Sequence, residues 1–155
     1  PIVGKPQSQK KSYSTYKKQE KLADGETISL NETDTAQWKK VPGIGSAYAL
    51  RIVKYQEMLG GFASKNQLLE VYGIDNEMYL KISPFIAMDS NVKKVNINKL
   101  EFKDLLKHPY LNYEQVKEIV NLRKRKGRIA SINELSMLDS FSEKDIRRLS
   151  FYLEF

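Results

Sequence analysis

From Trp38 to Tyr55 the chain reads Trp-Lys-Lys-Val-Pro-Gly-Ile-Gly-Ser-Ala-Tyr-Ala-Leu-Arg-Ile-Val-Lys-Tyr, with one proline and two glycines inside four residues. A tight bend set directly against a helix start can bind an anion. The first N–H groups of a helix have no intrahelical acceptor, and the helix dipole adds positive potential there, so a phosphate oxygen fits. Gly43 and Gly45 would let the backbone come close to such a ligand, and Pro42 helps fix the corner. Ser46 is a candidate N-cap whose hydroxyl could also donate to a phosphate. Lys39, Lys40, Arg51 and Lys54 lie within one or two helical turns and could add cationic contacts. The same string also suits a corner between two helices whose glycines serve only their dihedral angles, and both readings stand at this point.

A second basic feature is the run Arg123-Lys124-Arg125-Lys126, followed by Arg128. It sits at an expected helix C-terminus, where it either complements the helix dipole in solvent or contacts phosphates. Net charge is +7, with +3 in residues 1–27, +1 in 28–94 and +3 in 95–155. The part holding the Pro-Gly-Ile-Gly corner is therefore almost neutral. Catalytic signatures are missing: there is no HExxH, no P-loop and no nucleophile elbow. The lone His108 precedes Pro109 and reads as a partly buried corner residue, and Trp38 reads as core. The chain has no cysteine, hence no disulfide framework and no thiolate metal site. No run approaches the roughly 20 apolar residues of a membrane span. The chain opens Pro1-Ile2-Val3, and a segment upstream is expected.

The elements that must position these residues come in repeats. Asn31 matches Asn98, Pro42 matches Pro109, Gly60 matches Gly127 and Leu68 matches Leu135, every pair 67 residues apart without a gap. A weaker shift of 30 relates Val41–Gly45 to Val71–Asp75, and His108–Asn112 to Leu138–Ser142. The chain thus holds four corners in two pairs. Helical spacing and capping pairs predict helices over Thr33–Lys40, Ala47–Leu59, Lys65–Val71, Asn76–Ile82, Lys99–Lys107, Tyr113–Lys126, Ile132–Leu138 and Glu143–Leu153. The capping pairs are Ser64 with Gln67, Ser131 with Glu134 and Asn98 with Glu101; Gly60-Gly61 and Gly127 are helix stops. No stretch alternates long enough for a strand. The fold class is all-α, with a basic flexible linker over 1–27 and two repeat units over 28–90 and 91–155.

The string from Val41 through Asp75 resembles the helix-hairpin-helix module, and more closely the ComEA-type DNA-receptor family of bacterial competence. The matching features are Pro42-Gly-Ile-Gly45, Ala49-x-x-Ile52, Gly60-Gly-Phe62, Ser64-x-x-x-Leu68 and the second corner thirty residues on. The resemblance covers Ile28–Ile86 well and Val95–Phe155 less specifically. It implies double-stranded DNA bound without sequence preference, through the amides of Gly43, Ile44, Gly45 and Ser46, and of Gly73, Ile74 and Asp75 in the second corner. It also implies an upstream membrane anchor with an extracytoplasmic location, and a monovalent cation on the carbonyls of Val41–Ile44. The chain departs from the pattern in three corners. Asp75 replaces a glycine, where its carboxylate opposes phosphate and caps the next helix; Asn112 is able to adopt a left-handed conformation but carries bulk; Ser142 closes a fourth corner without glycine. The expectation is a non-enzymatic DNA-binding module without a small-molecule substrate. The alternative is a protein-interaction scaffold that keeps the architecture and has largely lost DNA binding.

Overall fold

The computed structural model describes Gly4 and residues 20–155. Most of the linker expected over 1–27 lies outside that range. In chain order the elements are β1 (Ile28–Ser29), α1 (Thr35–Trp38), α2 (Ser46–Leu59), a 3₁₀ turn (Lys65–Glu70), α3 (Asn76–Ile82), β2 (Ile86–Ala87), β3 (Val95–Asn96), α4 (Phe102–Leu106), α5 (Tyr113–Lys126), α6 (Ile132–Ser136), α7 (Glu143–Leu149) and β4 (Leu153–Glu154). The architecture is helical, in two tandem units. Lys65–Glu70 coils more tightly than the expected α-helix.

Four two-residue strands correct the strand-free expectation. β1 pairs in parallel with β2, and β3 with β4, so each unit ties its own beginning to its own end. Two residues are too few to show an alternating pattern, and pairing across nearly a whole repeat has no local signature. The last helix stops at Leu149 rather than Leu153 because the following residues peel off into β4. There the Val95 amide donates to the Tyr152 carbonyl at 2.8 Å.

The repeated asparagines do not cap helices. Asn31 donates from Nδ2 to the Phe62 carbonyl at 3.0 Å and accepts the Phe62 amide at 2.7 Å. Asn98 does the same to Ile129, at 2.9 and 2.8 Å. Glu101, not Asn98, holds the N-cap position of α4. Each asparagine thus acts as a surrogate peptide that satisfies both backbone groups of a buried residue after the helix stop. The Ser64–Gln67 and Ser131–Glu134 capping boxes form as expected. Gly60 ends α2 in the left-handed region at φ 91°. A Cβ there would lie 2.5 Å from the Lys93 carbonyl, and one on Gly61 would lie 2.8 Å from that of Asn91. The segment joining the two units crosses over this glycine pair, which explains why copy one has two glycines where copy two has Gly127 alone.

One apolar core runs through both units, with Leu30, Trp38, Ile52, Phe62 and Leu68 on one side and Ile97, Val116, Ile119 and Leu135 on the other. Polar groups fix the seam. His108 is buried; its Nε2 donates to the Leu59 carbonyl at 2.9 Å and its Nδ1 accepts the Tyr110 amide at 3.1 Å. Burial holds its pKa below the usual 6.5. Tyr152 donates to the Gly61 carbonyl at 2.8 Å. Glu70 accepts the hydroxyls of Tyr55 and Tyr110, and Gln67 donates to both Tyr110 and Tyr152. Burial, then the Glu70 carboxylate, pushes the Tyr55 phenol upward, so it stays a donor.

Candidate functional site

The four corners share one construction. The amide of Ile44 donates to the carbonyl three residues back, and Ile74, Leu111 and Phe141 do likewise, at 3.0–3.3 Å. The side chains of Val41 and Ile44 are buried beneath the first corner, while Gly43, Gly45, Ser46 and Ala47 are exposed above it. Gly43 has φ 95°, a conformation that favours glycine. The Ile44 amide is already spent on the Val41 carbonyl, which corrects its expected role toward a phosphate. The amides of Gly43, Gly45, Ser46 and Ala47 have no acceptor among the described residues.

The N-cap residue of α2 is Gly45, not Ser46, which is the first helical residue. Its backbone is extended, at φ −98° and ψ −173°. The equivalent residues adopt nearly the same angles: Asp75 (−94°, 178°), Asn112 (−102°, 173°) and Ser142 (−81°, 166°). Asn112 is therefore not left-handed, because its place is an N-cap and not the bend itself. What differs is the side chain. Asp75 accepts the Met78 amide at 2.8 Å, Asn112 that of Gln115 at 2.9 Å and Ser142 that of Asp145 at 3.1 Å. Three helix starts are closed by their own N-caps, and the start of α2 is left open.

Gly73, a secondary candidate, is at φ 90° beneath Tyr48 and Arg51. Tyr48 donates to the Gly73 carbonyl and Arg51 to that of Tyr72, both at 3.3 Å. The Arg51 guanidinium also lies 5.2 Å from the ring centroids of Tyr48 and Tyr72. Arg51 is thus held between two rings, where it joins α2 to the second corner, instead of extending freely toward a ligand. Ile74 is buried and its amide is bonded to the Val71 carbonyl. Lys54 is exposed, Lys39 and Lys40 are half-buried, and none of the three is ion-paired among the described residues.

The basic run divides. Arg123 donates to the Leu100 carbonyl, and Lys126 pairs with Glu134, the carboxylate that also caps the start of α6. Lys124, Arg125 and Arg128 remain exposed and without an ion pair among the described residues. Two of the five expected phosphate contacts are therefore engaged within the fold.

The expected linker hid a residue of the corner. Leu22 packs against the core and its amide donates to the Lys40 carbonyl at 2.8 Å, so residues 20–27 are built into the first unit. The preceding Lys21 turns its ammonium onto the carbonyls of Lys39, Val41 (3.5 Å) and Ile44 (3.0 Å). The Val41 and Ile44 carbonyls belong to the Val41–Ile44 set expected to hold a monovalent cation, whereas that of Lys39 lies outside it. No sequence signal marked Lys21, which lies in a Lys- and Gln-rich stretch without apolar periodicity.

Residues 23–87 and 90–154 each match the family described as the helix-hairpin-helix motif. Over 143 residues the chain is 24% identical to a Xenopus laevis protein named endonuclease/exonuclease/phosphatase family domain-containing protein 1. That match covers 78% of this chain and 26% of the amphibian protein, so the chain spans about a quarter of that relative's length. No solved structure matches at a significant level.

Proposed function

Because the chain belongs to the helix-hairpin-helix motif family, in two tandem copies, we propose that it holds double-stranded DNA by the phosphate backbone without sequence preference. The observation that carries this reading is the open start of α2. A Cβ on Gly45 would meet nothing within 4 Å, and its dihedral angles suit any residue. Neither packing nor conformation asks for glycine there, whereas close approach of a phosphate to the Gly45, Ser46 and Ala47 amides does. The other three corners serve as architecture.

One open corner with Lys39, Lys40 and Lys54 neutralises roughly three to five phosphates, which gives Kd on the order of 10⁻⁴–10⁻⁶ M at physiological salt. Within this reading the chain binds and does not catalyse. The endonuclease/exonuclease/phosphatase domain in the amphibian relative's name is not carried over to a chain spanning a quarter of that protein. DNA uptake from an anchored, extracytoplasmic position is the finer setting we propose from the ComEA-type resemblance, and its support is the string of residues 41–75 alone.

Fluorescence anisotropy with a labelled duplex across a salt series tests the proposal. Log Kd should vary with log salt with a slope of about 3 to 4.5, and scrambled duplexes should bind alike. Absence of binding at about 20–50 mM salt, together with capture of a protein partner that DNA does not compete for, would replace it with the scaffold reading.

A further inference from the structure

We infer that Lys21 is a built-in cation that positions the phosphate-binding amides of the first corner, so that binding needs no free monovalent ion. The inference rests on the DNA-holding reading for its consequence and on the corner's own geometry for its substance.

The carbonyls of Lys39, Val41 and Ile44 converge on one point, and that point is occupied by the Lys21 ammonium. Carbonyl oxygens gathered this closely repel one another unless a positive charge sits among them. Lys39 is also the C-cap of α1, so its carbonyl lies at the negative end of a helical turn. An ammonium offers three donors and a full charge to such a cluster.

The consequence follows from peptide planarity. The Ile44 carbonyl and the Gly45 amide belong to one trans peptide, so they point in opposite directions. Holding the carbonyl at 3.0 Å on Lys21 turns the Gly45 N–H to the other side of the corner, where the residue is exposed. The ammonium also polarises that peptide and makes its N–H a stronger donor. Lys21 therefore acts on a bound phosphate through Gly45 and is a positioning residue. The residues that follow it secure its placement. Leu22 is anchored on the core and on the Lys40 carbonyl, and the Ala23 amide is held by Glu26 Oε1 at 3.0 Å.

The test uses the whole chain and Lys21→Met, which keeps the aliphatic stem and removes the charge. Each is placed in potassium, sodium or tetramethylammonium chloride at matched ionic strength. Two quantities are read: the Gly45 and Ser46 amide shifts without DNA, and the Kd for duplex DNA. The native chain should give the same shifts and Kd in all three salts. Lys21→Met should show displaced shifts and binding weaker by about tenfold in tetramethylammonium, the size of one charge-assisted hydrogen bond. Potassium or sodium should restore both, because a small ion can then enter the carbonyls. The inference is overturned if the native chain itself needs a small ion, or if Lys21→Met leaves the amide shifts unchanged in tetramethylammonium. If neither protein binds duplex, the shifts still decide the role of Lys21, and it is the DNA reading that falls.

Discussion

At position 45 the backbone adopts a conformation open to any residue, yet glycine stands there with free space where a Cβ would be. Its counterpart Asp75 shows what that space does when filled: the carboxylate takes the third amide of the helix. Gly45→Asp should therefore leave the melting temperature unchanged or slightly higher, since an N-cap Asp exceeds Gly by a few tenths of a kcal/mol. Duplex binding should drop at least tenfold in the same protein, by the loss of free amides and by charge repulsion. Gly43→Ala separates the two effects in the other direction. At φ 95° it should cost about 1–2 kcal/mol of stability in a denaturant titration, because alanine is strained there. Among the basic residues, Arg123→Ala should lower stability through its lost bond to Leu100. Lys124→Ala and Arg125→Ala should leave stability unchanged.

Among the elements, α2 and α5 carry the repeat, and the asparagine clamps decide how each is followed. Asn31 and Asn98 satisfy both the amide and the carbonyl of a buried residue that no helix or strand serves. Replacing either with alanine leaves two buried polar groups unpaired and should cost about 2–4 kcal/mol, measurable as a shift of the urea midpoint. The spacing of Asn31 and Asn98 revealed that they correspond, but suggested capping for Asn98, since Asn with Glu three later is the pattern of a helix start. Their partners lie 31 residues away, beyond the reach of local pattern. The helices over Asn76–Ile82 and Tyr113–Lys126 were legible to the residue because apolar spacing coincides with the Asp75 N-cap for α3 and with a terminal glycine for α5. The strands were not, being two residues long and paired only through tertiary contact.

For the whole molecule, the seam between the units makes one body of two repeats. His108 is neutral there, with Nε2 donating and Nδ1 accepting, and burial lowers its pKa. A histidine whose folded pKa lies below its unfolded 6.5 contributes fully above that value, and its contribution falls as pH drops from 6.5 toward the folded pKa. Thermal melts between about pH 7 and 5 should show falling stability, and His108→Gln should flatten that slope. Tyr152→Phe removes the hydroxyl that bonds Gly61 and Gln67 and should cost about 1–2 kcal/mol without altering DNA binding. A result in which it alters binding but not stability would count against the seam's structural role.

Residue order alone reveals the helical class, the duplication at a shift of 67 residues and the singular Pro42–Gly45 corner, because helix periodicity, glycine dihedrals and repeat register are all local properties. Which groups remain available emerges from the three-dimensional fold. It closed three corners with their own N-caps, engaged Arg51, Arg123 and Lys126 in contacts within the chain, and brought Lys21 onto the carbonyls of the first corner. The reason is physical: a donor's availability depends on which acceptors the folded chain brings within about 3 Å, and residue types in order do not fix those meetings.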